Sequence, residues 1–231
     1  MAQDDNTDVV IVGAGPAALF AVFQLGLYDL RCQLVDSLGS AGGQCAVLYP
    51  DKPIYDAPGF PEIDGIELTE RLLKQASPFA PVFRYREVVT DFQQTPDARF
   101  VTRTDKGAGI RSSIVVLAGG LGPFVPPVGS VSAAEASLEQ GLAGQWPLKR
   151  SGGAIAVDPE RFETSTPGIF AIGDACHYPG KLRLILSGFH EAALMTQAAR
   201  RICFAGGKTA LQYTTSSSRL KDRLGRPADQ A

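Results

Sequence analysis

The first chemistry-bearing group in the chain is Gly13-Ala14-Gly15-Pro16-Ala17-Ala18, a G-x-G-x-x-A spacing that closes the apolar run Asp8–Gly13 (DVVIVG). Each small residue has its own physical task. Gly13 permits a tight turn, Gly15 lets the backbone approach a pyrophosphate, and Ala18 allows a helix to pack closely on the preceding strand. A helix opening at Pro16 turns its unsatisfied N–H groups and the positive end of its dipole toward phosphate oxygens. Asp36 ends the next apolar run, Cys32–Asp36 (CQLVD), where a carboxylate can accept hydrogen bonds from ribose hydroxyls. Glycine turn, helix and acid together specify a dinucleotide site without choosing the dinucleotide.

The elements that must position these groups follow from the pattern along the chain. Pro16–Leu27 is rich in Ala, Leu and Phe and reads as a helix, so the first unit is a strand, glycine turn, helix and strand, a right-handed parallel βαβ. Ser37–Phe60 is rich in Gly and Pro, has no sustained period and is too apolar for a linker, so it reads as a long ordered loop with a functional task. Ile66–Ala76 is an amphipathic helix, with Leu68, Leu72 and Leu73 on one face. Three strands are expected over Val82–Thr90, Arg99–Thr104 and Ser113–Leu117, separated by turns at Pro96–Asp97 and Lys106–Gly109. After Gly119 a stretch rich in small residues and proline holds at most one weak helix. Strands at Ala154–Val157 and Ile169–Gly173 follow, then a helix from Leu184 to Phe204 and a polar tail from Gly206. The fold class is α/β: a single Rossmann-like domain with a central parallel sheet and a small antiparallel β-meander. Its parts are 8–120, a short crossing 121–152, a second part 153–205 and a tail 206–231.

Composition narrows the function classes. A net charge of -2 and a pI near 5.7 give no basic field for nucleic acid or an anionic membrane surface. The N-terminus MAQDDNTDVV lacks the build of a signal peptide, and no apolar run reaches the length of a membrane span, so a cytoplasmic protein is expected. Cys32, Cys45, Cys176 and Cys203 are spread without a C-x-x-C, and His177 and His190 are the two histidines, so neither a disulfide framework nor a metal site is expected. The chemistry must come mainly from a bound cofactor.

Two further segments bear on which cofactor that is: Ile114–Gly120 (IVVLAGG), an apolar strand ending in Ala118 and Gly119, and Thr164–Asp174 (TSTPGIFAIGD), one ending in Gly-Asp. In this order with GAGPAA they resemble the pyridine-nucleotide disulfide reductase superfamily. The resemblance narrows at Gly42–Pro61 (GGQCAVLYPDKPIYDAPGFP), Pro179–Met195 (PGKLRLILSGFHEAALM) and Gln212–Leu220 (QYTTSSSRL), which look like the thioredoxin-reductase-like ferredoxin/flavodoxin–NADP reductases. That resemblance implies FAD and an FAD-binding domain of the two-dinucleotide-binding-domain flavoprotein type. Candidate cofactor contacts are then Gly13, Gly15, Pro16, Ala17, Asp36, Gly43, Gln44, Tyr49, Val88, Ala118, Gly119 and Asp174, joined by Thr214, Thr215 and Ser216. It also implies that Tyr49 stacks on one face of the flavin ring while Thr214–Ser218 approaches the other, from the partner subunit of a homodimer.

One part of the family pattern has no counterpart in this sequence. Between IVVLAGG and TSTPGIFAIGD the family carries a second nucleotide-binding domain for NADPH, which needs roughly 100 residues; here Leu121–Glu163 stands in its place, without a glycine fingerprint of its own. Three functions are then open. An organic small-molecule substrate could reduce FAD directly, with oxygen or a carrier as acceptor and with Cys176 and His177, beside the Gly-Asp motif, and Tyr49 as candidate catalytic residues. Ferredoxin or flavodoxin could exchange electrons with FAD, docking on a basic patch drawn from Lys181, Arg183, Arg200, Arg201, Arg219, Lys221 and Arg223. The third is a non-catalytic flavin-binding subunit.

Overall fold

The computed structural model describes residues 5–120, 147–151, 153–204 and 213–225. In chain order the elements are β1 Asp5–Asn6, β2 Val9–Val12, α1 Pro16–Gly26, β3 Cys32–Asp36, α2 Gly43–Leu48, α3 Gly65–Ala76, β4 Val82–Tyr85, β5 Val89–Gln94, β6 Phe100–Thr104, β7 Gly109–Ser112, β8 Ile114–Leu117, β9 Arg150–Ser151, β10 Ala154–Ala156, β11 Ile169–Ala171, β12 Cys176–His177, α4 Ile185–Cys203 and α5 Ser218–Arg223. The main sheet has five strands in the order β11-β8-β2-β3-β4, every neighbouring pair parallel. Its central strands are apolar at almost every position and fully buried, from Val9 to Ile11 and from Ile114 to Val116, as a sheet covered on both faces requires. Helix α1 packs between α3 and α4.

The chain leaves β2 for β3 and β4 on one side, then returns to β8 and β11 on the other. The strand order therefore reverses between β2 and β8, and the crevice beyond their C-terminal ends is where a doubly wound sheet opens a ligand site. A second sheet, β1-β7-β6-β5, contains the antiparallel meander, and a third, β12-β10-β9, stands close to the same crevice.

Four local expectations change in the folded chain. The Ser37–Phe60 loop contains the helix α2, which sequence period alone could not show because it is only six residues long. The strand read over Val82–Thr90 is two strands in different sheets: the backbone turns at Arg86, in the left-handed region at φ +56°, held by hydrogen bonds from Arg86 N–H to Leu38 O and from Glu87 N–H to Asp36 O. The turn at Lys106–Gly109 is shorter than read, and β7 begins at Gly109 itself. The polar tail includes α5, capped by the Ser217 hydroxyl accepting from Leu220 N–H at 3.2 Å and anchored by buried Leu220 and by Arg219 and Arg223 on Asp29. The weak helix expected after Gly119, and most of the crossing, lie outside the described residues. Among the described residues no helix is long and apolar enough to cross a membrane.

Candidate functional site

A cavity of about 400 Å³ occupies the crevice where β2 and β8 diverge. Its floor is Val12, Gly13, Leu117, Ala118 and Gly119. Its walls are the N-terminus of α1, the first turns of α2, the Asp36–Leu38 strand end, the Gly173–Ala175 turn, and Leu184, Ile185 and Gly188 at the start of α4.

The glycine turn at its base is tightly bound. Gly13 donates to Val35 O at 2.8 Å, and Ala118 N–H donates to Val12 O at 2.8 Å, which ties the turn to β3 on one side and β8 on the other. Gly13 has φ +107°, and a Cβ there would stand 2.5 Å from Ala118 O. At Gly15 the nearest atom to an added Cβ is Gly43 Cα at 4.0 Å, so that side of the turn is open for a ligand. Helix α1 has no side-chain cap and no acid in its first turn, and the same holds for α4. Two helix N-termini that lack an internal anion thus border one cavity, an arrangement that attracts phosphate oxygens. They can approach because Gly188 has no side chain: its Cβ would lie 2.9 Å from Ala17 Cβ.

Asp36 stands beside the glycine turn, at the end of β3. Its Oδ2 accepts from Ala14 N–H at 2.6 Å and its Oδ1 from Leu38 N–H at 2.8 Å. Burial pushes its carboxyl above the usual range, against the lowering effect of these two backbone donors. Each oxygen keeps a second lone pair, so the carboxylate holds the turn and still faces a ligand.

The expected cofactor contacts Gly13, Gly15, Pro16, Ala17, Asp36, Gly43, Gln44, Tyr49, Val88, Ala118, Gly119 and Asp174 all line this cavity. Tyr49 is half-exposed at its mouth with the Lys52 ammonium 4.8 Å from the ring centroid. Val88 exchanges its own backbone bonds with Asp105, its N–H donating to Asp105 Oδ1 at 2.8 Å and its C=O accepting from Asp105 N–H at 2.9 Å. Thr214, Thr215 and Ser216 are exposed and do not line the cavity of their own chain.

Cys176 and His177 are not brought to the cavity, and neither belongs to its lining. Pairing of β12 with β10 turns Cys176 into a buried polar cluster, where its Sγ lies 3.3 Å from Gly173 O and 3.6 Å from Glu191 Oε2. Burial, with the Glu191 carboxylate beside it, pushes this thiol up to about 12, so it stays protonated and a poor nucleophile. Adjacency in sequence to the Gly-Asp motif does not bring either side chain to the lining, because the chain leaves the crevice after Ala175 to pair with β10. Replacing His177 or Cys176 by alanine in separate variants should leave the rate of flavin reduction unchanged within about twofold. A drop of tenfold or more in stopped-flow flavin absorbance would return either residue to the chemistry.

The basic residues are also divided. Lys181 is buried against Glu191, Arg200 lies over the Tyr28 ring at 4.8 Å, and Arg219 and Arg223 pair with Asp29. Of the candidate set, Arg183 alone borders the cavity. The sequence reading missed Glu87, Arg150, Leu184 and Gly188 in the lining; the uncapped start of α4 was the available signal for the last two.

No protein-family model matches the chain. The ferredoxin–NADP reductase of Parvibaculum lavamentivorans is 35% identical to it over 335 aligned positions, covering 95% of this chain and 98% of that protein. The ferredoxin–NADP reductase of Mesorhizobium japonicum is 34% identical over 335 positions, with the same coverage. The chain belongs to the thioredoxin-reductase-like ferredoxin–NADP reductase family. Among solved structures, a thioredoxin reductase from Gloeobacter violaceus superposes with a TM-score of 0.71 at 18% identity, over 91% of this chain and 99% of that one. A ferredoxin-flavin thioredoxin reductase from Clostridium acetobutylicum gives 0.65 at 15% identity, over 86% and 97%; at these identities the likeness is one of fold. As a member of this reductase family the chain is an FAD-dependent oxidoreductase. The site fits that cofactor: the Gly13–Gly15 cradle and two unoccluded helix N-termini suit a pyrophosphate, and Asp36 suits a ribose. The 335 aligned positions exceed the chain's 231 residues, so more than 100 aligned positions of each reductase relative have no residue of this chain opposite them.

Proposed function

We propose that the chain exchanges electrons between FAD and an external carrier of the ferredoxin or flavodoxin type, without a nicotinamide held on a domain of its own. The observation that carries this reading is the short return path. The chain ends β8 at Leu117 and is back beside the cavity at Arg150 in β9, whereas a nucleotide-binding domain needs on the order of 100 residues. The names of the relatives, ferredoxin–NADP reductases, support a ferredoxin-type partner. So does the mouth of the cavity, where Val47, Tyr49 and Leu184 are exposed apolar side chains of the kind that a partner protein covers.

When bound, FAD supplies the capacity to take up and release electrons. The residues of the chain hold it. The α1 and α4 N-termini face its phosphates, Asp36 its ribose, and Tyr49 the flavin ring; Thr214, Thr215 and Ser216 reach the ring of a partner subunit in a homodimer. A second reading is direct reduction by a small organic substrate, with oxygen or a carrier as acceptor. That route calls for a base beside the ring, for which the described lining of the cavity offers the carboxylates of Asp36, Glu87 and Asp174 and no histidine. Electron exchange with a carrier has no such requirement.

The test is anaerobic reduction followed by flavin absorbance. Reduced ferredoxin or flavodoxin, two one-electron equivalents per flavin, should bleach the protein rapidly, while NADPH in equal amount should bleach it slowly or not at all. Rapid bleaching by NADPH would overturn the nicotinamide-independent reading, and bleaching by a small metabolite alone would select direct substrate oxidation.

A further inference from the structure

The wall formed by Gly173 and Asp174 is held by a device that the cofactor itself does not explain. Glu191 of α4 is 0% exposed and Lys181 3% exposed at the side chain, and the two form an ion pair. Glu191 Oε2 accepts from Gly173 N–H at 2.6 Å, and Oε1 accepts from Tyr178 Oη at 2.9 Å as well as from Lys181. Lys181 Nζ donates in addition to Gly173 O at 2.9 Å. Both backbone groups of one glycine are therefore bound by the two members of one buried ion pair.

Gly173 is where such a grip matters. It sits in the left-handed region at φ +65°, between the starts of two helices: its own Cβ would touch Ala17 Cβ at 3.4 Å, and a Cβ on Gly188 would lie 3.7 Å from its Cα. It lines the cavity together with Asp174 and Ala175. A buried ion pair is in general a poor source of stability, because desolvation of both charges offsets their attraction and an apolar pair of similar size does as well or better. A pair whose hydrogen bonds converge on the two peptide groups flanking one cavity-lining residue is better explained by geometry.

We propose that Lys181 and Glu191 are positioning residues for FAD: they clamp the backbone on both sides of Gly173 and thereby set Asp174 at the cavity wall before the cofactor arrives. The inference rests on FAD binding and is independent of the electron donor. It predicts that affinity and fold stability separate when the clamp is removed without leaving a lone buried charge.

The deciding variant is Glu191→Leu with Lys181→Met, which replaces the pair by apolar side chains of similar volume. The flavin-free full chain should melt close to the wild type, while its FAD dissociation constant, read by flavin fluorescence, rises at least about tenfold and the visible circular dichroism of bound flavin changes. Wild-type affinity and an unchanged flavin spectrum in the double variant would overturn the proposal, as would affinity losses that simply track losses in melting temperature. A second measurement stands if the double variant does not fold. In the flavin-free wild-type chain the Gly173 amide should already be protected from hydrogen exchange to the degree of the α4 amides. Fast exchange there, slowed only by added FAD, would overturn a preformed clamp. Because this arm needs no flavin, it separates failure of the clamp from failure of flavin binding.

Discussion

Gly13→Ala should yield a protein that is purified without its yellow cofactor. The added methyl would stand 2.5 Å from Ala118 O and 2.8 Å from Ala118 C, both backbone atoms fixed at the end of a central strand. It cannot escape by rotation, since a Cβ has no torsion of its own, and Ala118 cannot retreat while its N–H donates to Val12 O. Holding alanine at φ +107° adds about 1–3 kcal/mol, and the overlap adds about 1–3 kcal/mol more. If the turn relaxes to avoid these costs, it moves away from the pyrophosphate position. FAD affinity should then fall by about a hundredfold or more, since each factor of ten corresponds to about 1.4 kcal/mol. Titration of the flavin-free variant with FAD checks this, and wild-type affinity would show that the turn is not the rigid cradle described.

Asp36→Ala should have the next largest effect. It removes the acceptor of Ala14 N–H at 2.6 Å and Leu38 N–H at 2.8 Å, and each donor left unpaired in a buried setting costs about 1–3 kcal/mol. The ribose acceptor is lost as well, so FAD affinity should fall by about a hundredfold. Asp36 also sets a pH dependence. Burial raises its carboxyl above the ordinary 3.8; above that raised value it is an acceptor-only carboxylate, and as pH falls through it one oxygen becomes a donor and competes with the backbone N–H groups. FAD affinity should thus be full near neutrality and decline in mild acid, earlier than an exposed aspartate would allow. Asp36→Asn should bind more weakly at neutral pH and lose that decline. An identical pH profile in the asparagine variant would remove Asp36 as its source.

The parts of the site that could be read from the chain are those whose partners lie close in sequence. Gly13, Gly15, Pro16 and Ala17 are consecutive with the strand and helix they join, and Asp36 ends the next strand of the same βαβ unit. Their geometry follows from local sterics and the handedness of one crossover. Tyr49 was found through the resemblance of its whole loop, although the six-residue helix α2 inside that loop left no periodic signal. The split of β4 from β5 was hidden for a related reason. The chain turns at Arg86 because Leu38 O accepts its N–H and Asp36 O accepts that of Glu87, and nothing in the residue types of Val82–Thr90 announces it.

The sequence by itself determined a parallel α/β unit with a glycine turn at Gly13 and an acid at Asp36 placed for a dinucleotide, because those features are dictated by backbone sterics within one contiguous unit; the choice of FAD came from the family resemblance of its other motifs. The tertiary structure decided what stands on the far wall. Cys176 and His177 follow the Gly-Asp motif after a single alanine, yet in the strand paired with β10 the thiol is buried beside Glu191, away from the cavity. Lys181 reads as a surface cation, yet it is buried against Glu191 around Gly173. Gly188 reads as an ordinary helix residue, yet it is the gap that lets α4 meet α1. Each of these depends on elements far apart in the chain coming together, and burial and contact across such distances arise only when the whole sheet and its helices have closed.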